Sequence, residues 1–192
     1  MSLTEAVEPQ VRPLSRGPIE PREHLVQFYE REGAFLDSLG DFVASGLLHG
    51  ESVIVIATAS HLGALDTRLR ARGFDVDRAI IQDRYIPLDA AGTMAQFMVN
   101  GWPDEQRFRA LVSGLLARAR RNATQVRAFG EMVAIMWARG EHVATVHLER
   151  LWHGLCHEHG FSLLCGYPKS GFASDAHAAI TEICAAHTEV VA

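Results

Sequence analysis

Apolar positions along this chain switch between two periods, and each switch marks an element boundary. Residues 1–21 show neither period: Pro9, Pro13, Pro18 and Pro21 stand among Ser, Glu and Arg, which predicts a flexible lead ahead of a folded part over 22–192. The fold is expected to start with a β-rich run over 24–29. A helix follows, with Phe35, Leu36, Leu39, Phe42, Val43 and Leu47 at helical spacing and Gly46 and Gly50 punctuating its end. Residues 52–58 form an uninterrupted, mostly β-branched run, the composition of a strand covered on both faces. Thr58 or Ser60 can cap the helix predicted over 61–72, which Gly73 closes. Residues 74–77 lead through Ala79, Ile80 and Ile81 to a third strand ending at Leu88. Asp89 then caps a predicted helix over 90–99.

A turn over 101–104 hands the chain to Asp104, the expected N-cap of a long helix over 105–121 with Phe108, Leu111, Val112, Leu115 and Leu116 on its apolar face. A short strand over 126–129 ends in Gly130 and Glu131, and an apolar helix runs from Met132 to Trp137. The next helix starts near Glu141 and carries Glu149 among Val143, Val146, Leu148, Leu151 and Trp152. A fifth strand over 161–167, stopped by Pro168, and a closing helix over 173–187 complete the series. Strands alternating with helices predict an α/β fold: a three-layer sandwich with a mostly parallel central sheet, right-handed crossovers and helices on both faces. Ligands of such sheets meet the carboxyl ends of the strands, so the stretch over 125–152, with two acids and two tryptophans around one strand end, is the expected focus.

Composition adds exclusions. At 192 residues one domain suffices, and 48% hydrophobic with 21% charged residues is ordinary for a globular protein. A net charge of −5 argues against direct nucleic-acid binding, and Arg118, Arg120 and Arg121 read as a solvated helix end. Cys156, Cys165 and Cys184 are odd in number and widely spaced, so a disulfide framework is not expected. With no secretory leader and no apolar run long enough for a membrane, the expected location is the cytoplasm.

Several short motifs together resemble one family. His24-Leu25-Val26-Gln27-Phe28-Tyr29-Glu30, Gly46-Leu47 with Gly50-Glu51 and Val53, Ala57-Thr58 with His61, Leu88-Asp89-Ala90, Phe97-Met98 with Gly101, Pro103 and Asp104, Val126-Arg127 with Phe129-Gly130-Glu131-Met132-Val133, Leu148-Glu149 with Leu151-Trp152, and Phe161-Ser162-Leu163-Leu164-Cys165 with Tyr167-Pro168 are similar to the MEDS domain, the methanogen/methylotroph sensory domain. The resemblance spans about residues 22–190. It implies a sensory, non-catalytic domain with a RecA-like core related to circadian-clock-type ATPases, found beside histidine kinases or in transcription regulators. Small organic molecules are the ligands proposed for the family. Output through a separate histidine kinase or transcription regulator is therefore the expectation.

A RecA-like ATPase needs glycines and a lysine directly after the strand over 53–57, so that backbone N–H groups and an ammonium hold the phosphates. Here Thr-Ala-Ser-His-Leu-Gly-Ala-Leu follows, with one glycine and no lysine, which predicts a RecA-like fold without a phosphate loop. Candidate ligand-binding residues are Thr58, His61, Asp89, Glu131, Met132, Glu149, Trp152 and Tyr167. On the first strand the alternation presents either His24, Val26 and Phe28 or Leu25, Gln27 and Tyr29 to a pocket. His153, Cys156, His157 and His159 offer metal-ligating atoms, but at a helix end and without a second ligand pair; no metal is assigned and the cofactor stays open. Two further readings are carried: a degenerate RecA-like nucleotide-binding protein, with His61 and its helix N-terminus in place of the lysine, and a protein-binding module of the anti-sigma-regulator type.

Overall fold

The computed structural model describes residues 21–172 and 177–191. Apart from Pro21 the predicted flexible lead lies outside these residues, as does the start of the closing helix over 173–176. In chain order the elements are β1 (His24–Tyr29), α1 (Glu32–Leu48), β2 (Ser52–Ala57), α2 (Ala59–Ala71), α3 (Val76–Ile81), β3 (Tyr85–Asp89), α4 (Ala90–Met94), β4 (Met98–Val99), β5 (Trp102–Pro103), α5 (Glu105–Ala119), β6 (Val126–Gly130), α6 (Met132–Ala138), α7 (His142–His159), β7 (Ser162–Pro168), α8 (His177–Ala185) and β8 (Glu189–Val191).

Six strands make one sheet in the order β3-β2-β6-β7-β1-β8, and every neighbouring pair is parallel. Side-chain alternation divides its residues between two cores. Leu25, Val53, Val55, Phe129 and Leu164 face α1, α2 and α3, whereas Val26, Ile54, Ile56, Ala128, Leu163 and Cys165 face α4 to α8. The chain winds from β1 through β2 to β3 with helices on the first face, then from β6 through β7 to β8 with helices on the second. Reversing direction and face together keeps one hand of crossover, and it leaves a crevice at the carboxyl ends where the winding turns, between β2 and β6.

The mostly parallel three-layer α/β sandwich is therefore as expected, with local differences that have physical reasons. The helix expected over 90–99 is only α4, because β4 and β5 form an antiparallel hairpin with Val99 opposite Trp102. Asn100 and Gly101 between them have φ of 51° and 77°, the left-handed pair a two-residue hairpin turn demands. Residues 79–81 close α3, which Asp75 caps through the Arg78 N–H, so they join a helix and not a strand. The third local difference is β8, a short edge strand beside β1 that had no counterpart in the sequence reading.

Gly46, expected as punctuation, lies inside α1. A Cβ there would come within 2.7 Å of Arg127 Nε and 2.8 Å of a Val53 methyl. The glycine makes room for Arg127, which rises from β6 beneath α1, is 1% exposed, and meets both carboxylate oxygens of Glu51 at 2.5 and 2.6 Å and the Phe42 carbonyl at 2.9 Å.

Candidate functional site

The crevice between β2 and β6 is closed by a chain of polar groups. Glu131 follows β6, and its own N–H donates to the Ile56 carbonyl of β2 at 2.9 Å, which pins the backbone across the gap. Its carboxylate reaches on to the head of α2, where Oε2 accepts the Thr58 N–H at 2.8 Å. Thr58 caps α2 by accepting the His61 N–H on Oγ1 at 3.4 Å. The His61 ring stands between two carboxylates, with Nδ1 2.9 Å from Glu131 Oε1 and Nε2 3.0 Å from Glu32 Oε1. The Glu131 contact is an ion-pair approach without hydrogen-bond alignment, while the Glu32 contact is aligned. Contact with Glu131 raises the His61 pKa above its ordinary value; burial opposes that rise and Glu32 adds to it. Tyr29, at the end of β1, stacks on Phe35 at 4.2 Å, and burial followed by the Glu131 and Glu32 charges pushes its phenol up to about 12.

This geometry places the His61 imidazole between two acids, which favours its protonated form, and uses the N-cap N–H of α2 internally. In a phosphate-binding domain that N–H faces the anion. Here the anion is the protein's own Glu131.

A second cluster lies on the opposite face of the sheet, under α7. Glu149 is fully buried and accepts the Tyr167 hydroxyl on Oε1 at 2.6 Å. Around its other oxygen, Oε2, stand Cys165 Sγ at 3.5 Å and the Nε2 atoms of His24 and His187, each at 3.4 Å. Burial alone would push the Glu149 carboxyl up, but His187, His24 and Tyr167 outweigh it and hold the group at about 2. Burial drives His187 down to about 4 against the pull of Glu149.

The eight candidate residues thus divide. Thr58, His61 and Glu131 come together at the crevice, and Glu149 and Tyr167 meet in the second cluster. Met132 is fully buried in the apolar core. Trp152 packs edge-on against Phe108 at 4.8 Å, with its indole nitrogen 3.6 Å from where a Cβ on Gly130 would stand. Asp89 caps α4, accepting the Gly92 N–H at 2.7 Å. Asp89→Ala is accordingly expected to lower stability by about 1 kcal/mol in chemical denaturation, the ordinary effect of a lost N-cap, and to leave ligand-induced thermal shifts unchanged.

Both faces of β1 prove to matter: His24 enters the second cluster, and Tyr29 flanks the crevice. Glu32 and His187 were missed. Glu32 gave no signal beyond a helix start, and His187 none beyond the end of the predicted closing helix. His24 had one: a polar residue in phase with Val26 and Phe28 on an apolar face. Of the metal-ligating side chains near the end of α7, the His153 and His157 rings lie 4.5 Å apart and Cys156 Sγ donates to the Phe161 carbonyl at 2.9 Å.

On the outer side of α7 is a groove of about 380 Å³. Trp102 from the hairpin, stacked on His147 at 5.1 Å, and Trp137 from α6, stacked on His142 at 4.0 Å, form its aromatic walls; Val143 and Val146 also line it, and Arg150 and Glu182 are its charged residues. The Trp137 indole is fixed by donating to the Gly171 carbonyl at 3.0 Å.

A family model described as MEDS, the MEthanogen/methylotroph, DcmR Sensory domain, matches residues 23–188. None of the curated proteins compared with the chain matches it. Among solved structures, a Pyrococcus horikoshii OT3 protein from a structural project aligns at TM-score 0.59 and 12% identity, covering 90% of this chain and 82% of its own. A KaiC-like protein from the same organism aligns at TM-score 0.56 and 10% identity, covering 84% and 70%. The flagellar accessory protein FlaH from Methanocaldococcus jannaschii aligns at TM-score 0.55 and 10% identity, covering 92% and 73%. At these identities the likeness is one of fold, and that fold is RecA-like.

Proposed function

Because the chain belongs to the MEDS sensory-domain family, we propose that it is a non-catalytic sensor that takes a small organic molecule in the groove beside α7 and signals to a separate histidine kinase or transcription regulator. The observation that carries this reading is the bond from the Thr58 N–H to the Glu131 carboxylate, which fills from within the place where a phosphate-loop protein receives its nucleotide. The groove offers what an organic ligand needs: aromatic and aliphatic walls with a few polar groups to orient it.

The groove and the crevice share α6. Trp137 near its end lines the groove, while Glu131 at its head holds the crevice shut. A ligand that moves Trp137 displaces a rigid two-turn helix, and with it the carboxylate that binds α2 and, through His61, α1. In this reading Thr58, His61 and Glu131 transmit the event, and a partner reads the surface of α1 and α2.

Thermal melting separates the readings. Magnesium-ATP is expected to leave the melting temperature unchanged, while an effective organic ligand raises it by stabilising the fold by RT ln(1 + [L]/Kd), about 2.7 kcal/mol at a hundredfold excess over Kd. That rise should vanish in Trp102→Ala and persist in Asp89→Ala. Stabilisation or turnover of ATP would overturn the proposal, as would ligand stabilisation indifferent to Trp102.

A further inference from the structure

We propose that His24, Glu149, Cys165 and His187 form a closed binding site for one divalent metal ion of the zinc type. Their four ligand atoms lie within 4.8 Å of one another, and all four side chains are buried. The hydrogen bonds around the histidines orient their rings. His24 Nδ1 lies 3.0 Å from the Ala186 carbonyl and His187 Nδ1 lies 2.6 Å from the Ile183 carbonyl. A carbonyl only accepts, so each Nδ1 carries a hydrogen and each ring turns its Nε2 inward, where the neutral form offers a lone pair to a metal. Both Nε2 atoms then face Glu149 Oε2 at 3.4 Å, and His187 Nε2 has no hydrogen-bond partner. In the absence of a cation the Cys165 thiol donates to Glu149 Oε2 at 3.5 Å; once that proton is gone, two imidazole nitrogens, a carboxylate oxygen and a sulfur around a common centre, out of contact with water, make a donor set for a cation between them.

The spacing matches a metal shell. Tetrahedral zinc with nitrogen and oxygen ligands at about 2.0–2.2 Å and sulfur at about 2.3 Å sets its ligand atoms about 3.3–3.6 Å apart. Four of the six pairs stand in this range, 3.4 Å for His24 to Glu149, 3.4 Å for His187 to Glu149, 3.4 Å for His24 to Cys165 and 3.5 Å for Cys165 to Glu149, and all six lie within 4.8 Å, so binding draws the set inward slightly. Thiolate and imidazole together favour zinc over the hard cations. The outer contacts are those of a metal centre: each histidine anchors its second nitrogen on a carbonyl, and Tyr167 fixes the free carboxylate oxygen at 2.6 Å.

Charge also closes. Cys165 releases its thiol proton to solvent on binding, and thiolate plus carboxylate cancel the two positive charges, leaving a neutral buried unit. With four protein ligands the site is structural, tying the start of β1, α7, β7 and the link between α8 and β8 into one unit. A cavity of about 310 Å³ is lined by Arg150, His153, Glu182, Ala185 and Ala186, and the His153 ring lies 5.8 Å from that of His24. The inference is independent of the groove and of any ligand taken there.

Cobalt(II) titration of the untagged, metal-stripped full chain tests it. One equivalent is expected to bind, with thiolate-to-cobalt charge transfer in the near ultraviolet and the strong visible bands of a four-coordinate ion. Cys165→Ser should remove the charge-transfer band, and Tyr167→Phe should keep the spectrum while weakening affinity about 10–100-fold. Absence of stoichiometric binding overturns the site, and so does a spectrum unchanged in both Cys165→Ser and His187→Ala. X-ray absorption of the zinc-loaded wild-type protein needs no variant: one sulfur neighbour at about 2.3 Å beside nitrogen and oxygen at about 2.0 Å supports the site, and a shell without sulfur excludes it.

Discussion

Glu51→Ala is expected to destabilise the fold by about 3–5 kcal/mol, the usual result of leaving one member of a buried ion pair behind. Arg127 is 1% exposed beneath α1, and Glu51 is the only carboxylate that it meets at ion-pair distance among the described residues. The Phe42 carbonyl at 2.9 Å and the Phe42 ring 5.1 Å away remain, but neither neutralises the guanidinium. Replacing both partners, as in Glu51→Gln with Arg127→Met, removes the stranded charge and should cost less than Glu51→Ala alone. Urea denaturation with an unchanged slope measures both. A loss under about 1 kcal/mol for Glu51→Ala would show that water reaches the guanidinium and that the pair is a surface one.

That pair shows where a sequence stops being informative. Arg127 was legible as a strand residue, whereas Gly46, expected at a helix end, lies inside α1; their relation is a single fact about two elements that meet only in the folded sheet. The β-branched run of β2 and the apolar spacing of α1 and α5 could be read directly, because burial imposes a period on consecutive residues. The Asn100-Gly101 turn was also written in the chain, but the apolar residues before it suited a helix as well as a hairpin. At the crevice, Thr58, His61 and Glu131 could be placed because parallel strands expose their carboxyl ends, whereas Glu32 comes from a helix start with no local mark. The second cluster gathers residues 24, 149, 165 and 187 from two strands, a helix and a loop, and no spacing relates them.

At the crevice, Glu131→Ala is expected to cost about 2–3 kcal/mol below pH 6.5, because the half-buried Thr58 N–H loses its acceptor and the His61 imidazolium loses its nearest carboxylate. The pH dependence follows from the raised pKa of His61. A group that binds its proton more tightly folded than unfolded contributes fully below its unfolded pKa, here the ordinary 6.5, and that contribution disappears as pH climbs through the higher folded value. The margin of wild type over Glu131→Ala should therefore narrow on the alkaline side of 6.5, leaving only the part due to the Thr58 N–H. Glu131→Gln keeps a carbonyl for that N–H but gives up the charge, so it should lie close to wild type at high pH and fall below it at low pH. Stability measured in denaturant at several pH values distinguishes these courses. A wild-type margin that is flat, or that widens as pH rises, would mean that His61 carries no extra proton in the folded protein, and that Glu131 holds the crevice through the backbone alone.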